Sequence, residues 1–186
     1  MLIEKLKGAG VRFERGMTAQ ELDAAEDFFG FRFPVEIWAF LSKAVPVGPD
    51  FFDYRDCSAE NKKRFEDFQN WMESNFRFDL EHCRDFLLEL VGEKLGFDQD
   101  GPGFDEALMR YWRESPRLIP FYAHRCFFDG LDGMPIISFW QPVDTIIYGI
   151  DFERYLEAEF LDVDDLSEIP REQMKDTGIW NELIEG

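Results

Sequence analysis

From Leu118 onward, apolar positions come in short runs broken by turn residues. Leu118–Tyr122 (LIPFY) and Arg125–Phe128 (RCFF) are separated by Ala123-His124 and followed by Asp129-Gly130-Leu131-Asp132-Gly133. Glycine accepts positive φ and aspartate bonds nearby N–H groups, so this pentapeptide predicts a turn. Pro135–Trp140 (PIISFW) and Thr145–Ile150 (TIIYGI) are rich in β-branched and aromatic residues, which suit a pleated, half-buried surface. Gln141-Pro142-Val143-Asp144 between them fits a hairpin connection. The pattern predicts a small antiparallel meander. Beyond it, Phe152, Tyr155, Leu156 and Phe160 share one helical face, with Asp151 as N-cap.

Elsewhere the apolar positions follow the helical period. Met1–Gly8 reads as a short helix ended by Gly8 and Gly10, and Val11-Arg12-Phe13 as a brief strand. Thr18 and Glu21 form a capping box for a helix that buries Leu22, Ala25, Phe28 and Phe29 and ends at Gly30. Pro34 suits the first turn of the next helix, with Ile37, Trp38 and Leu41 as its apolar stripe and Trp38 in the core. Pro46, Gly48 and Pro49 predict a loop. Ser58–Phe76 carries Phe65, Phe68, Trp71 and Met72 at helical spacing. Asp79 is placed to cap a further helix with Cys83, Phe86, Leu87, Leu90 and Val91 facing inward. A Gly- and Pro-containing loop leads to a helix over Phe104–Trp112, stopped by Pro116. The reading is an α+β fold: a central, mostly antiparallel sheet over about 118–150, flanked by helices. One domain spans 1–160, and 161–186 is an acidic C-terminal extension with a short helix near Ile179–Ile184.

Composition narrows the class. The 186 residues are 45% hydrophobic with 21 Phe, enough for one aromatic-rich core. The sequence has no apolar run of membrane-spanning length, and the first residues, MLIEKLKGAG, lack the apolar region of a signal peptide. Three widely spaced cysteines, Cys57, Cys83 and Cys126, suit reduced thiols in a cytosolic setting. A cytoplasmic protein is expected. Net charge is −19, and residues 118–186 hold 4 basic against 15 acidic side chains. Such a surface repels phosphate backbones and anionic membranes and speeds encounter with a basic partner; plain solubility explains it equally.

Chemical motifs are sparse. Asp98–Gly103 resembles the start of a calcium loop, but positions five and twelve hold Pro102 and Met109 where ligands belong. His124 and Cys126 would share a strand face and His82 adjoins Cys83, four ligands that suit zinc only if they converge; neither pair has finger spacing. His124 and Cys126 also make a nucleophile pair on paper, though closeness in sequence is no catalytic geometry. The sequence has no nucleophile elbow, phosphate-binding loop or dinucleotide fingerprint. No metal or cofactor is expected, and no enzyme activity.

Several segments carry a family resemblance. Leu118-Ile119-Pro120-Phe121-Tyr122-x-His124-Arg125 is followed by Met134-Pro135-Ile136-Ile137-Ser138. Then comes Asp144-x-Ile146-Ile147-Tyr148-Gly149-x-Asp151-Phe152-x-x-Tyr155-x-x-x-Glu159-Phe160. Upstream lie Thr18-x-x-Glu21, Glu26, Gly30-Phe31, Phe33-Pro34 and the aromatic helix near Phe40-Leu41. In order and spacing these resemble the cell-wall-assembly-regulator (Smi/Knr) family of the SUKH superfamily over about residues 16–45 and 116–160. The resemblance implies an α+β fold without a transferable catalytic motif. Its bacterial members are similar to immunity proteins that neutralise secreted toxins; fungal members resemble scaffold regulators of cell-wall synthesis. The expectation is therefore a non-enzymatic binder, an immunity-type inhibitor of a basic toxin protein. A regulatory scaffold is the alternative and an uncharacterised enzyme the third. The expected contact residues are Asp129 and Asp132, then Asp162, Asp164 and Asp165.

Overall fold

The computed structural model describes residues 2–99, 101–163 and 175–184. Its centre is a four-stranded antiparallel meander of β3 (Leu118–Tyr122), β4 (Arg125–Phe128), β5 (Ile136–Phe139) and β6 (Thr145–Gly149), in that spatial order. Leu118 pairs with Phe128, Cys126 with Ile137 and Phe139 with Thr145. Ala123-His124 makes the tight β3–β4 turn, with Ala123 at φ 49°. The expected hairpin before β6 is a 3-10 turn, Pro142–Asp144. Both sheet faces are covered, so the strands read as nearly continuous apolar runs rather than strict alternation.

On one face, Ile119, Phe121, Phe127 and Ile136 pack with α1 (Leu2–Gly8), α2 (Ala19–Phe29), α3 (Val35–Leu41) and α7 (Phe152–Leu161). This core is aromatic. The Phe31 ring lies 4.8–6.5 Å, centroid to centroid, from those of Phe29, Phe33, Tyr54, Phe65 and Phe127. On the other face, Leu118, Cys126, Phe128, Ile137 and Phe139 pack with α4 (Ala59–His82), α5 (Arg84–Leu95), α6 (Phe104–Glu114) and α8 (Ile179–Ile184). The α+β class is as the sequence predicts.

Local signals explain most boundaries. Thr18 and Glu21 form the capping box, and Gly30 closes α2 in the left-handed region at φ 74°. Asp151 caps α7 by accepting from the Arg154 N–H. Gly149 lets β6 lie against α7, since a Cβ there would sit 2.5 Å from the Tyr155 Cα.

Four expectations are corrected. Pro46 lies in a strand, β2 (Ala44–Val47), paired with β1 (Arg12–Arg15) in a two-stranded sheet, where a missing N–H is tolerated at an edge. Pro34 precedes α3 as its N-cap rather than entering its first turn. Asp79 does not cap a new helix: α4 runs through it to His82, and the break falls at Cys83, φ −126° and ψ 27°. No Gly or Pro interrupts residues 76–83, and the Asp79 carboxylate accepts from the Val143 N–H at 3.0 Å. Phe86 faces outward, 41% exposed, rather than inward.

The terminal helix is no appendage. Ile179, Trp180 and Leu183 are buried in the second core. The Trp180 indole donates to the Pro116 carbonyl at 2.7 Å, and the Ile179 N–H to Ser115 Oγ at 2.9 Å.

Candidate functional site

The acidic turn predicted as a contact surface proves to be a clamp. Asp129 Oδ1 accepts from the Arg32 N–H at 2.8 Å, and Oδ2 accepts from Arg117 at 2.6 and 3.1 Å. Asp132 Oδ1 accepts from the Val35 N–H at 2.7 Å, and the Gly133 N–H donates to Glu36 Oε1 at 2.9 Å. The Gly130 N–H adds a bond to the Arg32 carbonyl at 2.8 Å. These bonds fasten the β4–β5 loop to the α2–α3 connection. Buried Glu26 supports that connection from within, accepting from the Phe33 N–H at 2.8 Å and from Arg32 at 2.6 Å. Asp129 and Asp132 thus tie that loop down at the surface. Asp162 ends α7 in the left-handed region at φ 51° and is exposed, far from any such role. Asp164 and Asp165 lie outside the described residues.

His124 and Cys126 point to opposite environments. The Cys126 thiol is buried in the second core, 3.7 Å from the His124 carbonyl oxygen. Burial pushes its pKa far above the usual thiol range, which disfavours the nucleophilic thiolate. The His124 ring instead contacts Arg125 through Nε2 and the Trp140 ring at 5.5 Å. Partial burial first, then the Arg125 charge, lower its pKa. A guanidinium only donates, so this contact suits an unprotonated Nε2. His82 and Cys83 are at the α4–α5 corner, and among the described residues no three His, Cys, Asp or Glu side chains converge to hold a metal.

Arg125 is the hub of the open end of the sheet. Its guanidinium lies 3.6 Å from the Tyr148 ring centroid. It donates to Ser138 Oγ at 2.9 Å and to Glu159 of α7 at 3.2 Å. The Arg125–Glu159 pair is largely shielded from water; it ties α7 to β4 and leaves the guanidinium no free fork for a ligand.

From that hub a ridge of rings runs outward. His124 meets Trp140, Trp140 meets Trp71 at 5.9 Å, and Trp71 meets Phe68 at 5.4 Å. Trp140 is 56% exposed and Ile146, across the β5–β6 pair, 48%. Further along α4, Phe78 is 49% exposed and stacks on His82 at 4.1 Å. Trp and Arg are the side chains that most often dominate binding energies at protein interfaces, and here Trp140 is the exposed ring of the ridge while His124, Trp71 and Phe68 are half-buried. The sequence reading missed this ridge. Its signal was present in part: Phe68 and Trp71 share a helical face, and Trp140 closes a strand where the alternation points out of the core.

Acidic side chains are prominent on the exposed surface. Asp85, Glu89 and Glu93 are exposed at four-residue spacing on α5, and Glu81 and Asp144 are exposed near the ridge. No family model, curated protein or solved structure matches the chain.

Proposed function

We propose that the chain is a cytosolic, non-enzymatic protein-binding domain of the immunity type that grips and neutralises a basic toxin. The observation that carries this reading is the pair of exposed rings, Trp140 at the head of a half-buried aromatic ridge and Phe78 further along α4, in a body of net charge −19. Rings of this kind supply desolvation and contact area, while the acidic surround steers a cationic partner and rejects anionic ones. The resemblance to the SUKH superfamily supplies the toxin partner. Among the described residues no helix is long and apolar enough to cross a membrane.

The test is co-expression with the toxic domain of a large secreted protein encoded beside this chain. Growth is restored by the wild type, and the purified pair forms a stoichiometric complex that weakens strongly between about 0.05 and 0.5 M salt. Unrestored growth, or a complex indifferent to salt, overturns the reading.

A further inference from the structure

Along α4, Phe68, Trp71, Asn75, Phe78 and His82 recur at alternating intervals of three and four residues. That is the spacing of a seam that receives a second helix. The seam borders the face that α4 buries, which holds Met72, Phe76, Asp79 and Leu80. Its first half is partly covered by the chain itself. Phe68 and Trp71 are half-buried against the second core, and Asn75 Nδ2 donates to the Trp140 carbonyl at 3.1 Å. Its second half is open. The Phe78 ring stacks on His82, one turn away, with an interplanar angle of 18°. Trp140 and Phe78, on either side of Asn75, are two large rings left to solvent.

We infer that this seam is the docking site for a basic amphipathic helix of the partner, with apolar residues at the same spacing and Lys or Arg beside them. It rests on the binding role proposed above and names the surface and the shape of that contact. The spacing selects a helix over an extended strand. The charge selects a basic one: Glu81 and Asp144, exposed beside His82 and beyond Trp140, form no ion pair among the described residues, and the body carries a net charge of −19. The bases nearby are already paired, Lys63 with Asp67 at 2.5 Å and Arg77 with Glu73 at 2.7 Å. A second copy of this chain is disfavoured, because two bodies of charge −19 repel one another.

The experiment is calorimetric titration of the full chain with a synthetic helical peptide of about six turns, Leu at the seam positions and Lys beside them. A second peptide carries Glu for Lys. The Lys peptide binds and the Glu peptide does not. Phe78→Ala and Trp140→Ala each weaken binding about tenfold or more. Phe86→Ala, removing another exposed ring on α5, leaves it unchanged. Both seam rings are exposed, so thermal melts stay near wild type; if Phe78→Ala melts early, Trp140→Ala carries the test. Absence of Lys-peptide binding, equal binding of both peptides, or indifference to both seam substitutions overturns the inference. So does a dimer in sedimentation that Phe78→Ala dissolves. Growth rescue that survives Phe78→Ala and Trp140→Ala refutes the seam alone; peptide binding without rescue by the wild type refutes the immunity role alone.

Discussion

Tyr155→Phe is expected to stabilise the protein. Tyr155 is fully buried, and its hydroxyl has no hydrogen-bond partner among the described residues. Burial first, then the charge of Glu159, drives its pKa far above tyrosine's ordinary value, so the group is neutral throughout the accessible range. A buried hydroxyl stripped of water and left unbonded costs about 1–3 kcal/mol. The ring itself is well held: Phe121, Tyr148, Phe152 and Phe160 surround it at 6.1–6.5 Å between centroids. Phenylalanine keeps all four contacts and removes the orphaned oxygen. Against this stands a void smaller than a methyl group, worth under about 1 kcal/mol. The balance is a gain of about 1 kcal/mol, which for a chain of this size raises Tm by about 2–4 °C. Urea titrations of wild type and variant, compared at equal m-value, measure it directly. A variant less stable by about 1 kcal/mol or more would mean that the hydroxyl is bonded in the native state, and would refute the reasoning.

Three further outcomes follow from the same structure. Asp79 is buried with one carboxylate oxygen unpartnered among the described residues, and burial raises its pKa above 3.8 despite the Val143 N–H bond. A raised carboxyl favours folding most below its unfolded pKa and loses that contribution as pH rises toward the folded value; Asp79→Asn therefore gains on the wild type in urea midpoint as pH increases from about 4 to 7, and a difference flat with pH counts against burial as the cause. Gly149→Ala drives a methyl to 2.5 Å from the Tyr155 Cα, so it loses about 3 kcal/mol or fails to fold, whereas melting within a degree of wild type would show that α7 yields freely. Asp129→Ala strands the Arg32 N–H and frees Arg117, lowering stability by about 1–3 kcal/mol; a change in partner affinity at unchanged Tm would instead return Asp129 to the contact surface.

What could be read from the sequence was what neighbours in the chain decide. The Thr18–Glu21 box, the Asp151 cap and the aromatic strand runs each act within a few residues, and each stands where the pattern puts it. The failures share a cause at longer range. Asp129 and Asp132 look like turn acids facing water, yet each carboxylate takes a backbone N–H from a residue 97 positions earlier. Asp79 is a residue type that caps helices, yet α4 runs through it and its carboxylate takes the Val143 N–H from the β5–β6 turn, a partner 64 positions away. The Ile179–Ile184 spacing predicts a helix but not that Ser115 and Pro116 wait to receive it.

The same logic separates the two acidic regions as binding surfaces. A side chain whose polar atoms already hold the fold together must give up those bonds to engage a partner, so the Asp129–Asp132 clamp is a poor place to bind. Trp140 and Phe78 have the opposite standing. Their removal strips little from either core, since roughly half of each ring already faces water. Helical spacing on α4 was visible from Phe68 to Trp71. Which edge of that helix stays open was not, because it depends on where β5 ends and sets Trp140 against Asn75. A surface of this kind is defined by what the core does not need, and that is known only once the core has been assembled.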